Sequence, residues 1–141
     1  MPQENSLQRF LDAQTRDYPA ALAEIRAGRK RSHWIWYIFP QIQGLGFSST
    51  SQHYAIRDAA EAAAYLAHPV LGPRLREISG ELLKLAGRDA SRVFGSPDDL
   101  KLRSSMTLFA AVPGADPVFG AVLDKYFGGK TDEKTLQQLG R

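Results

Sequence analysis

Leu71, Leu75, Ile78, Leu82 and Leu85 recur at alternating steps of four and three residues. That spacing puts all five on one face of an α-helix and does not fit a strand, whose side chains repeat every two residues. Gly87 stands where such a helix would stop. The same logic runs through the rest of the chain. Leu7, Phe10 and Leu11 share a helical face, with Ser6 placed to cap it. Pro19 suits a first turn, so a second helix is predicted from about Asp17, carrying Ala21, Leu22 and Ile25 and stopped by Gly28. From Ser51 a face of small residues returns at Ala55, Ala59, Ala62, Ala63 and Leu66, with Arg57 and Glu61 as an i, i+4 pair. His68-Pro69 breaks it.

Ser96-Pro97-Asp98-Asp99 reads as a helix start, with Ser96 as N-cap, Pro97 in the first position and two acids favouring the dipole. Leu102, Met106 and Phe109 line the helix that follows, up to Pro113-Gly114. Asp116-Pro117 opens another, with Val118, Val122 and Tyr126 ahead of Gly128-Gly129. Thr131 caps a last short helix with Leu136 and Leu139. These signals make about seven helices and no convincing strand pair. The expected fold is mainly α, a compact single-domain multihelical fold with little or no sheet. Residues 1–141 form one domain in this reading, with its core at about 6–128 and a short helical segment at 131–139.

Composition narrows the function classes. The chain has no cysteine, which removes disulfides, thiolate nucleophiles and thiolate-ligated metals and fits a reducing compartment. The N-terminus is polar, and the longest apolar run, Trp34 to Pro40, falls far short of the ~20 residues a membrane span needs. A cytoplasmic protein without a membrane partner is expected. The net charge is +3. The densest basic cluster, Arg26, Arg29, Lys30 and Arg31, reads either as the cationic end of a helix or as a phosphate-attracting rim. A nucleic-acid partner is not expected on this pattern, since no strong basic stripe appears. No cofactor is implied.

The stretch from Ser32 to Tyr54 carries the chemistry. It combines both tryptophans, two histidines, the turn Gly44-Leu45-Gly46 and the hydroxyl run Ser48-Ser49-Thr50-Ser51. Apolar rings with polar tips beside a hydrogen-bonding loop suit a small-molecule pocket. If residues 34–39 are extended, Trp34, Trp36 and Ile38 share one side. Both sides are apolar, so a buried strand and a buried helical turn stay open. His33, His53 and His68 lack zinc-ligand spacing, and no metal site is expected. The glycine pair lacks the third glycine of a dinucleotide fingerprint, and no Gly-Lys-Ser/Thr follows it. Gly-Phe-Ser-Ser-Thr is not a nucleophile elbow. The loop reads as a tight turn or, with its hydroxyls at a helix start, as an anion-holding loop. Further along, Lys101 and Ser104 point the same way from a helix whose start holds Asp98. They read as a capped, solvated helix end or as a second wall of the pocket. The ligand-contact candidates are His33, Trp34, Trp36, Gln41, Gly44, Gly46, Ser48, Ser51, Tyr54, Lys101 and Ser104.

Several runs are familiar. His33-Trp34-Ile35-Trp36-Tyr37-Ile38-Phe39-Pro40-Gln41, Gly44-Leu45-Gly46-Phe47-Ser48, Ser51-Gln52-His53-Tyr54-Ala55-Ile56, Tyr65-Leu66-Ala67-His68-Pro69 and Phe94-Gly95-Ser96-Pro97-Asp98-Asp99 resemble the signature of the bacterial domain-of-unknown-function family 1810. The likeness covers about residues 7–127. It implies a small, mostly helical cytoplasmic protein and supplies no reaction. The calpastatin label that some members carry finds no support in these residues. Ser51-Gln52-His53-Tyr54 is also similar to the Glu-His-Tyr segment of the NADAR superfamily, whose members are linked to ADP-ribose and related N-glycosidic substrates. Gln52 stands where that segment has its acid.

The leading expectation is a pocket for a small anionic, nucleotide-like or ADP-ribose-like molecule. Trp34 or Trp36 and Tyr54 would stack on a ring, while the Gly44–Ser51 loop and Lys101 would hold phosphate or hydroxyl groups. If the ligand is hydrolysed, the catalytic candidates are Glu61, Asp98 and Lys101. The alternative is a protein-interaction module that uses the aromatic block 33–47 as its anchor patch.

Overall fold

The protein is described by a computed structural model covering residues 2–140, with side chains from Leu7 onward. Among these residues the helices are α1 (Pro2–Arg26), α2 (Ile35–Ile38), α3 (Ser49–His53), α4 (Ala59–Ala67), α5 (Leu71–Lys84), α6 (Ala90–Phe94), α7 (Asp98–Ala110), α8 (Val118–Phe127) and α9 (Glu133–Gln138). The only strand-like pairing among them is one parallel bridge, Ile42 to Ile56. The mainly α fold read from the sequence is the fold observed. The two helices expected over α1 are one, and the short α2, α3 and α6 are added, which brings the helices to nine among the described residues, against about seven expected.

α1 is one helix, not two, because Pro19 lies inside it. A proline there removes one helical hydrogen bond and crowds the preceding turn. Leu7, Phe10, Ala13, Tyr18, Ala21 and Ile25 are nevertheless all buried. The apolar face runs unbroken past the proline, and its burial outweighs one missing bond. The Ser6 side chain, expected to cap this helix, lies outside the described side chains. Gln14 is also buried on that face. Its Nε2 donates to the Tyr37 carbonyl at 2.7 Å and to the Tyr65 hydroxyl at 2.9 Å, so its polar group is satisfied within the core.

α7 is the central element and packs against α8, α6, α9, α4 and α2. Its buried side runs from Leu102 through Ser104 to Phe109. α5 lies between α1, α4 and α8, and its predicted stripe is buried from Leu71 to Leu82. Aromatic rings tie these layers together. Phe10 meets Tyr65 edge-on at 5.2 Å, Tyr65 meets Phe109 at 5.2 Å, and Phe109 meets Phe119 at 6.0 Å.

Two predicted caps are corrected. Ser96 does not cap α7: Pro97 holds the N-cap position with no side-chain bond, after a cis Ser96–Pro97 peptide. Asp132, rather than Thr131, caps α9 by accepting from the Thr135 amide. The helix predicted from Ser51 is also divided. α3 ends at His53, the bridge to Ile42 intervenes, and α4 starts only after the Asp58 cap. Arg57 thus lies ahead of the helix, although its guanidinium still reaches Glu61 at 3.4 Å.

Where the chain leaves α1, one carboxylate organises the turn. Glu24 accepts from the Arg31 amide at 2.7 Å, the Ser32 amide at 2.9 Å, the Ser32 hydroxyl at 2.7 Å and the Trp34 indole at 2.9 Å. Burial by itself would raise its pKa, but these four donors outweigh it and hold it at about 2. A carboxyl that ionises more easily folded than unfolded stabilises the protein above its unfolded pKa, and that contribution fades as pH falls toward the folded value. The window therefore runs downward from about 4.5 to about 2. Glu24→Gln should cost about 1–2 kcal/mol at neutral pH. It should also flatten the loss of stability across that window, as read by urea melts at stepped pH. Parallel acid limbs for the two proteins would contradict this role.

Candidate functional site

The aromatic block folds as a helical turn. Ile35, Tyr37 and Ile38 of α2 point inward, while Trp36 is half-buried on the opposite side. Trp34 is fully buried against Phe39 at 6.1 Å and Phe94 at 6.3 Å. Its ring is a core ring and offers no face to a ligand. His33 is exposed, and its carbonyl accepts from the Tyr37 hydroxyl at 3.2 Å. Of the pair expected to stack on a ligand, Trp36 alone faces a cavity.

After α2 the chain forms a loop from Pro40 to Ser48. Ile56 pins it, donating to the Gln41 carbonyl at 2.8 Å and accepting from the Gln43 amide at 2.8 Å. Ser48 then caps α3 by accepting from the Ser51 amide at 3.1 Å, and its hydroxyl donates to the Ser51 hydroxyl at 2.9 Å. The loop lies tightly on α3 through Gly46, where a Cβ would fall 2.6 Å from the Ser51 Cβ. Gly44 has φ +93°, and a Cβ there would fall 2.8 Å from the Gln138 amide nitrogen of α9. Both glycines are needed, the first for a close approach and the second for its left-handed backbone as well. The Ser48 hydroxyl is committed to the cap, and five residues make α3 a weak dipole. An anion is therefore better held elsewhere in the site.

These elements enclose a cavity of about 460 Å³ lined by Trp36, Gln41, Ile42, Gln43, Gly44, Gly46, Phe47, Ser51, Gln52, Tyr54, Ala55 and Gln138. Tyr54 is propped from behind by Tyr37 at 5.0 Å and Phe10 at 6.1 Å. Burial, and then the bond to Asp17, push the Tyr37 hydroxyl up to about 12, so it stays protonated and donates to that carboxylate. Phe47 stands at the cavity's edge, 88% exposed. None of the lining side chains is charged at neutral pH.

An adjoining cavity of about 200 Å³ shares Gln41, Gly46 and Ser51 with the first and adds Leu45, Pro97, Leu100, Lys101, Ser104, Asp132 and Lys134. The Lys101 ammonium sits 5.3 Å from the centre of the Trp36 ring, which ties the two spaces together. Asp98 bridges two lysines, with Lys30 at 2.9 Å and Lys101 at 3.3 Å. One carboxylate between two ammonium groups leaves a positive charge over. The Ser104 hydroxyl donates to the Leu100 carbonyl at 3.2 Å and keeps its acceptor side. Asp132 is occupied by capping α9 and by Arg103 at 3.7 Å.

Trp36, Gln41, Gly44, Gly46, Ser51 and Tyr54 therefore come together, and Lys101 and Ser104 join them through the shared wall. Ser48 lies just behind as the cap. Glu61 lines neither cavity. It is buried in α4, accepting from the Arg57 amide at 2.9 Å and the Arg9 guanidinium at 3.1 Å. Asp98 lines neither cavity and acts on the site through Lys101. The sequence reading missed Gln43, Phe47, Gln52, Gln138 and Lys134 as wall residues. The last two belong to α9, which was read as an appendage beyond the core. A separate concavity of about 550 Å³, between the end of α5 and α6, contains none of the candidate residues.

Among the described residues no three His, Asp or Glu side chains come together to hold a metal ion, and no helix is long and apolar enough to cross a membrane. A comparison with curated proteins returns no match. A similar fold is the crystal structure of the conserved hypothetical protein Rv1873 from Mycobacterium tuberculosis, 49% identical, covering 96% of each chain with a TM-score of 0.93. The family model described as protein of unknown function (DUF1810) matches residues 4–139. By this match, which spans nearly its whole length, the chain belongs to the DUF1810 family.

Proposed function

We propose that the protein binds a small anionic, nucleotide-like ligand across the two adjoining cavities. The observation that carries this reading is the division of chemistry between them. The larger is walled by Trp36, Tyr54 and carboxamides without a charged side chain, and the smaller presents Lys101 and Lys134, with Asp132 beside them already engaged by Arg103 and the α9 cap. A nucleotide divides its chemistry the same way, into an uncharged ring that stacks and a phosphate that pairs with cations. The larger volume falls within the usual range for small-molecule sites. A phosphate in the smaller space would compete with Asp98 for Lys101.

The ADP-ribose form of the reading rests on the likeness of Ser51–Tyr54 to the NADAR segment. Gln52 occupies the acid's place in that segment and cannot act as a base. Of the two candidate carboxylates for hydrolysis, Glu61 is clamped by two arginines and Asp98 by two lysines. Binding is thus the form these residues favour, ahead of turnover. The alternative anchor patch at 33–47 is weakened because Trp34, Ile35, Tyr37, Ile38 and Phe39 are core residues.

Isothermal titration of the full chain against AMP, ADP-ribose, adenosine and ribose 5-phosphate tests the reading. The nucleotides should bind with Kd on the order of micromolar. Adenosine and ribose 5-phosphate should be weaker, since each fills one space alone. Folded protein that takes up none of the four would remove the proposal.

A further inference from the structure

Within that nucleotide reading, we infer that the larger cavity recognises the hydrogen-bonding edge of the base through a set of convergent glutamines. The chain has eight glutamines, and four of them, Gln41, Gln43, Gln52 and Gln138, line this one cavity. They arrive from three separate places: the pinned loop, α3 and α9. Chance clustering along the sequence does not account for that convergence.

The amides are available. Gln52 uses one N–H on the Phe47 carbonyl at 3.0 Å, which leaves its oxygen and its second N–H. The side chains of Gln41, Gln43 and Gln138 make no hydrogen bond to another described residue. The Gln138 amide nitrogen lies beside the loop, where a Cβ on Gly44 would fall 2.8 Å from it.

A carboxamide offers an acceptor and a donor side by side. Adenine presents the matching pair, the N6 amino donor next to the N7 or N1 acceptor, and Gln pairs with it in two-bond fashion. Guanine presents a like pair, its O6 acceptor next to the N1 donor, so a carboxamide fits either purine. Trp36 and Tyr54 supply ring faces for any base, and the four amides add the hydrogen bonds along its edge.

The test is titration of the full-length protein with AMP, GMP and ribose 5-phosphate, repeated with Gln43→Leu and Gln138→Leu. Both positions are exposed, so the variants should melt like the parent. AMP and GMP should each bind about ten-fold tighter than ribose 5-phosphate, and each variant should weaken both nucleotides by about five- to ten-fold while leaving ribose 5-phosphate unchanged. If AMP, GMP and ribose 5-phosphate bind alike, the phosphate site stands and base recognition is overturned. If the nucleotides are preferred but neither variant alters them, the glutamine assignment is overturned. If none of the three binds, the nucleotide reading fails and takes this inference with it.

Discussion

Trp34→Ala should cost about 3–5 kcal/mol, a large share of the stability of a domain this size, whereas Trp36→Ala should leave the protein folded. The two rings stand two residues apart and differ completely in setting. Trp34 has no exposed surface, packs on Phe39 and Phe94, and donates its indole N–H to Glu24. Truncation would empty a ring-sized space and remove one of the four donors on that carboxylate. Lys30, stacked 5.2 Å from the same ring, would also lose its platform while still paired with Asp98. Trp36 is half-buried on a cavity wall, with Lys101 over its outer face. Its loss should cost about 1 kcal/mol of stability and show instead as weaker nucleotide binding. Urea melts followed by circular dichroism, with titration of AMP, separate the two cases. A Trp34→Ala protein that melts with the parent would contradict the core placement.

This pair also shows what the sequence made legible and what it did not. The stripe Leu71–Leu85 is read from period alone because only a helix satisfies it, and α5 follows it from Leu71 to Lys84. Residues 34–39 are apolar at every position, so period is silent there. An extended reading places Trp34 and Trp36 on the same side. In a helix, two residues turn by about 200°, and the same two rings face opposite ways. That the block supplies cavity-lining residues was thus visible, but which ring was core and which was wall depended on one local conformation.

Pro19 misled for a related reason. Proline's local cost is real, but it lost to a buried face that continues through Tyr18, Ala21 and Ile25. Other parts of the site have no local signal. Gln138 meets Gly44, and Lys30 meets Asp98, across long stretches of chain. Such meetings are set by the packing of α7 and α9 and carry no spacing rule. The likeness to a known family covers these runs without saying which of their residues share a wall.

Glu61 provides the second large effect, and it is an effect on stability. Glu61→Ala should cost about 3–5 kcal/mol, because removing one member of a buried ion pair leaves the other charge uncompensated. The Glu61 side chain is 6% exposed and that of Arg9 15%. The Arg9 Nε is already buried without a partner among the described residues, so the guanidinium has little to fall back on. Its Nη2 also donates to the Ala55 carbonyl at 2.7 Å, and Ala55 forms part of the larger cavity's wall. Loss of the carboxylate would therefore loosen the site as well as the core. Glu61→Gln keeps the shape and one acceptor oxygen for the Arg57 amide and Arg9, and should cost roughly half as much. A general base would behave in the opposite way, with the glutamine variant as stable as the parent and inert toward a hydrolysable ligand. Thermal melts of both variants, paired with titration of AMP and an ADP-ribose hydrolysis assay, distinguish the roles. The expected order of melting temperature is parent, Glu61→Gln, Glu61→Ala, with AMP binding retained in Glu61→Gln and weakened in Glu61→Ala. A Glu61→Ala protein as stable as the parent would show that Arg9 is satisfied without this carboxylate.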